Sequence, residues 1–290
     1  MDRVELMKLD NLVEGIVVKR PSKAIKTPYV ADVSFVDSTS AEILAHTAAL
    51  GCCGLADTGA HILMAPMPVP KNKNNKQKCA YRIYLSVLRE KGQEMYVGIH
   101  PKLAEDLAEN ALTKNCLSIL SNVQSYKRET PMFIEGEVDS RFDFSGVDCN
   151  GTKFIMEIKN VPLADYEDIT AKDRKKKCYD DRDVNSKVAY FPDGYRKKST
   201  EPVSPRALKH VRELTYIRRT AELNTRCIMC FVIQRTDADR FQPSIIDPEY
   251  RAAVKEALEA GVELITLVVE WTRDGHAYFV RDDLPITTFE

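Results

Sequence analysis

Hydrophobic positions are spaced as short strands over the first hundred residues and as a mixture of helix and strand after them. Asn11–Lys19, Tyr29–Val36, Ala41–Ala45, His61–Met64 and Tyr81–Leu88 are alternating or β-branched runs, punctuated by Gly, Pro and polar residues. Such spacing predicts a small sandwich or barrel. Pro101–Leu120 sets Leu103, Leu107, Ala111, Leu117 and Leu120 at roughly helical spacing. Met132–Ile134, Val138–Phe144 and Thr152–Ile158 read as strands. Pro205–Leu223 reads as a helix whose apolar stripe is Leu208, Val211, Leu214 and Ile217, with Arg206, Lys209, His210 and Arg219 largely off it. Arg226–Gln234 and Val262–Glu270 are apolar strands. Between them, Asp247, Pro248 and Glu249 supply an N-cap, a first-position proline and an acidic first turn, and Gly261 a stop. They predict a helix over Pro248–Ala260. The interleaved order makes the second region α/β.

The length of 290 residues suits two domains. Lys and Arg number 42 against 43 Asp and Glu, which excludes a generic basic coat for nucleic acid but leaves room for local basic stretches. Four lysines fall within Lys71–Lys78, and Lys172–Lys177 reads KDRKKK. No run approaches the roughly 18–20 apolar residues of a membrane span, so no membrane partner is expected. The first ten residues have no signal-peptide core. A reducing, cytoplasmic home follows as the expectation, with nucleus or organelle left open. The lone C-x-x-C, Cys227–Cys230, lies in an apolar run and reads as buried free thiols.

The segment Val138–Val161 carries the candidate chemistry. Glu157 and Lys159 are two apart on a strand and share a face, while Phe154, Met156 and Ile158 take the other. A turn at Asn150–Gly151 would fold this strand onto the one bearing Asp143 and bring Asp143 alongside Glu157. Two carboxylates can hold Mg2+ (or Mn2+) through oxygen, and a lysine can stabilise the developing charge. Phosphodiester cleavage can be built from that set.

These residues also resemble a family. SRFDF at Ser140–Phe144, followed by IMEIKNV at Ile155–Val161, is similar to the signature of the sugar fermentation stimulation protein A (SfsA) family, a form of the PD-(D/E)XK nuclease core. YFPD at Tyr190–Asp193, VSPRALKHVREL at Val203–Leu214, and FVIQR…IDPEY over Phe231–Tyr250 continue the resemblance in order. It implies an OB-like β-barrel over residues 1–98 and a nuclease-type α/β domain over 99–290, with a mixed sheet flanked by helices. It implies Asp143 and Glu157 as metal ligands and Lys159 beside the attacking water. Glu129 is the candidate further acid, with Glu135 and Glu137 as alternatives. Lys209 and His210 match a family Lys-His pair suited to phosphate contact or acid catalysis, on a helix that also carries Arg206. Lys76 and Lys78 match a basic stretch near the end of the barrel. The family's H-C-P-N-T-G motif survives here as His46 and Gly51, and His100 replaces an amide in its V-G-V-N element. Residues 164–188 are an insertion of roughly 20 residues with seven basic and seven acidic side chains, read as a mobile flap touching substrate phosphates. The leading expectation is a metal-dependent nuclease acting on DNA or RNA. A non-catalytic DNA-binding regulator linked to sugar metabolism is the alternative, and an interaction module with an inert barrel the third.

Overall fold

A computed structural model of the chain describes residues 3–36, 42–47, 54–68, 78–192, 201–287 and 289. The N-terminal part runs through β1 (Glu5–Lys8), β2 (Val13–Lys19), β3 (Val30–Phe35), β4 (Ile43–His46), β5 (His61–Pro66), β6 (Tyr81–Glu90) and β7 (Gln93–Gly98). Helix α1 (Pro101–Thr113) leads into β8 (Ser125–Ile134), β9 (Val138–Val147), β10 (Lys153–Val161) and the short β11 (Ala164–Asp165). Then come α2 (Ala171–Arg174), β12 (Lys187–Phe191), α3 (Pro205–Arg219), β13 (Thr225–Ile233) and β14 (Ala238–Pro243). Helix α4 (Pro248–Glu259), β15 (Glu263–Trp271) and β16 (His276–Arg281) complete the chain. The fold is mixed α+β, dominated by one sheet of 13 strands, with a second sheet of β11, β12 and β14.

In the N-terminal part β2 pairs with β3 and β5, β3 with β4, β5 with β6, and β4 with β6, so the pairings return on themselves. Val17, Val33, Ile62 and Ile83 fill the ring, joined by Leu163 and Tyr190 from the second half. The boundary read near Gly98 falls at the end of β7. The chain crosses it twice, because β1 pairs with β16 and β7 touches β15.

The centre of the second half is a parallel trio, β10, β13 and β15. These strands are apolar almost throughout because both faces are covered. One face packs on α1 through Phe154, Met156, Ile158, Ile228 and Cys230. The other packs on α3 and α4 through Ile155, Cys227, Met229, Leu208 and Val254. Cys227 and Cys230 are buried free thiols on opposite faces, as their spacing requires.

Three expectations are corrected. Helix α1 stops at Thr113, short of Leu120, because Asn115 turns left-handed (φ 55°) and the Cys116 amide donates to the Ala111 carbonyl at 2.8 Å. Leu117 and Leu120 still reach the α1 core, through a 3-10 turn at Ser118–Leu120. Helix α3 stops at Arg219, where Thr220 is extended, rather than at Leu223. The insertion at 164–188 is docked rather than free. Lys91, at the turn between β6 and β7, donates to the carbonyls of Tyr179, Asp180 and Arg182. Tyr166 and Lys187 both bond Glu90, at 2.7 and 2.5 Å.

Candidate active site

The β9–β10 hairpin turns at Asn150–Gly151 as the sequence implies, with Gly151 at φ 82°. Its ladder runs from the Lys153–Val147 pair to the Met156–Phe144 pair and stops there. Beyond it the strands part, and the Asp143 side chain takes the place of the next main-chain bond. Its Oδ2 accepts from the Ile158 amide at 2.7 Å. The neighbouring phenylalanines explain the parting. Phe142 belongs to the core under α3, whereas Phe144 belongs to the core under α1. Residues two apart on a flat strand would share a face. The β8–β9 ribbon therefore crosses the edge of β10 at Asp143. Opposite the crossing, Glu129 has a left-handed φ of 49°, and the ladder passes from the Arg128–Phe144 pair to the Thr130–Phe142 pair without it.

Glu157 and Lys159 stand on the α3 side of β10. They are 3% and 8% exposed, and His210 of α3 is 3% exposed. One carboxylate oxygen of Glu157, Oε1, receives both the Lys159 ammonium and His210 Nδ1. The other, Oε2, is buried with no hydrogen-bond partner among the described residues. His210 is also edge-on to Phe142, with ring centroids 6.0 Å apart.

The electrostatics split the two carboxylates. Burial pushes Asp143 up to about 7, and the charge of Glu157 adds to the shift; the Ile158 amide and Lys159 oppose it only in part. Burial also opposes ionisation of Glu157, but Lys159 and His210 outweigh it and hold that carboxyl below its ordinary range. The pair thus holds one firmly ionised carboxylate and one that changes charge near neutrality.

Two acids that the sequence reading passed over complete the surroundings. Glu213 of α3 is 4% exposed, accepts from the Asp139 amide at 2.8 Å and from the Ser140 hydroxyl, and so ties the start of β9 to the helix. It lies three residues beyond His210, hence on the same helix face; taking His210 as inward-facing would have found it. Glu105 of α1 acts on Asp143 by its charge while held by Arg128 at 2.8 Å and Lys102 at 2.9 Å.

The other sequence-derived candidates lie apart. Glu129 is exposed and paired with Arg141 at 3.3 Å, and Glu135 and Glu137 are exposed. Lys209 is exposed, donates to the Asp139 carbonyl and lies 3.6 Å from Glu213. Arg206 is exposed at the start of α3, and Lys78 is exposed beside β6. Lys76 and Gly51 lie outside the described residues.

Among the described residues no group of three or more His, Cys, Asp or Glu side chains forms a ready metal-ligand set. The donors present are two carboxylates, one with an unpaired buried oxygen. That fits a hard cation such as Mg2+ or Mn2+, which binds through one or two carboxylates and keeps several waters.

Fold and site together define a mixed α+β protein with a carboxylate–lysine–histidine set buried between the parallel strand β10 and helix α3. Residues 175–275 match the family model described as the sugar fermentation stimulation protein RE domain. A sugar fermentation stimulation protein homolog of Jannaschia sp. strain CCS1 is 30% identical over 249 residues, covering 85% of this chain and 86% of that one. A homolog from Maricaulis maris is 28% identical over 261 residues, 90% of each chain. The chain belongs to the sugar fermentation stimulation protein family. Its fold matches that of Pyrococcus furiosus SfsA, solved in complex with Ca2+, with a TM-score of 0.71 at 21% identity, over 98% of this chain and 100% of the other. Among the described residues no helix is long and apolar enough to cross a membrane.

Proposed function

We propose that this protein is a metal-dependent nuclease of the PD-(D/E)XK type, hydrolysing phosphodiester bonds in DNA or RNA, with the closed ring of β2–β6 as an OB-like barrel beside it. The observation that carries the reading is the convergence of Asp143, Glu157 and Lys159 where β9 leaves β10, with Glu157 Oε2 buried and unpaired. A divalent cation held by Asp143 and Glu157 would polarise the phosphate and make a bound water acidic. The Ca2+ complex of Pyrococcus furiosus SfsA supports a hard-cation site in this fold.

The chain's own residues then have distinct tasks. His210 and Lys159 fix the Glu157 carboxylate through Oε1 and leave Oε2 without a hydrogen-bond partner among the described residues. The Ile158 amide fixes Asp143. The Lys159 ammonium neutralises charge as the phosphorane forms. Lys209 and Arg206, exposed on α3, would contact flanking phosphates in this reading.

A second reading has one observation in its favour. Glu157, Lys159 and His210 already form a closed set with the charge of Glu157 answered, as a non-catalytic DNA-binding regulator would also tolerate. Incubation with labelled single-stranded DNA, duplex DNA and RNA, in Mg2+, Mn2+ or EDTA, separates the two. The nuclease reading expects metal-dependent cleavage that Asp143→Ala and Lys159→Ala abolish. Cleavage surviving in those variants or in EDTA would reject this site, and binding without cleavage under every metal would favour the regulator.

A further inference from the structure

His46, singled out by its motif, and His100, a departure from one, meet in the structure. His46 ends β4 and is the register partner of Arg82 on β6. Tyr84 is two residues on, and its ring lies 5.5 Å from that of His100, the N-cap residue of α1. Two histidines and an arginine from three elements thus gather at the N-terminus of a 13-residue helix.

The cluster has unspent hydrogen-bonding capacity. His46 Nδ1, Arg82 Nε and His100 Nδ1 are buried and have no hydrogen-bond partner among the described residues. Buried polar atoms are nearly always satisfied, so three on neighbouring side chains call for a ligand or ion. Arg82 has no carboxylate partner among the described residues, and the His100 side chain makes no capping bond to α1. At the start of α1, Pro101 has no N–H and the Leu103 amide donates to the His100 carbonyl at 3.0 Å, which leaves the Lys102 amide as the first-turn donor at the positive end of the helix dipole. Arg82 supplies a fixed positive charge and the imidazoles can each supply an N–H donor, and the ligand complementary to that set is an oxyanion. Burial first and the charge of Arg82 second hold both imidazoles below their ordinary range, His100 down to about 4, so Arg82 carries the positive charge of the cluster.

We propose that His46, Arg82 and His100 form a phosphate-binding subsite at the N-terminus of α1, taking a backbone phosphate of the strand whose scissile bond lies at Asp143 and Glu157. Glu105 of α1 links the two places, since it holds Arg128 at 2.8 Å and Arg128 is the register partner of Phe144, beside Asp143. The choice of a nucleic-acid strand as the occupant rests on the nuclease reading, whereas the oxyanion chemistry rests on the cluster alone.

The test is binding of a short labelled single-stranded DNA to the full-length protein in EDTA, across a salt series. Arg82→Gln and His100→Asn should each weaken binding about tenfold and reduce the log–log salt slope by about 0.7 for a lost phosphate contact. Lys255→Gln, an exposed change on α4, should leave affinity and slope as in the wild type. Wild-type affinity and slope in Arg82→Gln and His100→Asn would overturn the subsite. Should those variants fail to fold, the imidazole resonances of His46 and His100 in the wild type decide: the oligonucleotide should shift them, and unmoved resonances would overturn the proposal. A shift with inorganic phosphate but none with the oligonucleotide would place a free anion there and overturn the strand assignment. Because EDTA suppresses metal-dependent cleavage, lack of nuclease activity would leave this result standing, and failure here would leave cleavage at Asp143 untouched.

Discussion

The Asp143 carboxylate accepts from the Ile158 amide at 2.7 Å at the point where the β9–β10 ladder ends. The side chain substitutes for a main-chain acceptor, so the acid is held at the strand edge by the backbone. Its carboxyl is pushed up to about 7, by burial first and by Glu157 second. A carboxyl raised above its unfolded value contributes most stability at low pH and loses it as pH rises through the folded value. Asp143→Asn keeps an acceptor for Ile158 and cannot ionise. In EDTA its stability gain over the wild type at pH 8 should exceed that at pH 5 by roughly 2 kcal/mol, measured by urea unfolding. An equal difference at both pH values would mean that Asp143 titrates normally.

His210 supplies one of two donors to a carboxylate that is 3% exposed. Removing one partner of a buried charge leaves the rest of it undersolvated. His210→Ala should therefore destabilise the protein by about 3 kcal/mol, whereas His210→Gln, which can still donate, should recover part of that loss. Denaturation midpoints check the order; two variants of equal stability would show that the bond to Glu157 contributes little.

Gly98 closes β7 against the second half of the chain. A Cβ there would fall 1.8 Å from Gln234 Oε1 and 2.6 Å from Trp271 Nε1, atoms already bonded to each other at 2.9 Å. Gln234 is fully buried and also donates to Asn160 at 2.7 Å, so it has nowhere to withdraw. Gly98→Ala should cost about 2–3 kcal/mol and lower the melting temperature by several degrees. An unchanged melting curve would contradict this packing.

Lys91 holds the insertion by three carbonyls. Lys91→Met should release it, raising trypsin cleavage within Lys172–Lys177 several-fold while the rest of the chain stays resistant. An unaltered digestion pattern would assign the docking to Glu90 and its bonds to Tyr166 and Lys187 instead.

Much of this site is legible in the sequence because it rests on short-range periodicity. The two-residue spacing of Glu157 and Lys159, the Asn-Gly turn and the apolar alternation of Phe154, Met156 and Ile158 fix the face and the hairpin partner. The burial of His210 is not legible from the stripe Leu208, Val211, Leu214 and Ile217. Helix α3 is covered over a wider arc, where His210 and Glu213 meet strand residues 53 and 74 positions away. The setting of Glu129 is not legible for a similar reason: local order puts an acid before the first strand, whereas its left-handed backbone and its pairing with Arg141 go with an exposed position. The pairing of β1 with β16 and the small sheet of β12 and β14 are long-range, and short mixed-polarity segments carry no signal for them.

The cation site is tested most directly by calorimetric titration of the metal-free protein with Mn2+ near pH 8, where Asp143 is ionised. The wild type should show one saturable site. Asp143→Asn and Glu157→Gln should weaken it at least tenfold, and lowering the pH below 7 should weaken it in the wild type as Asp143 takes up a proton. Binding heats unchanged by both substitutions would place any metal elsewhere and contradict the assignment of Asp143 and Glu157.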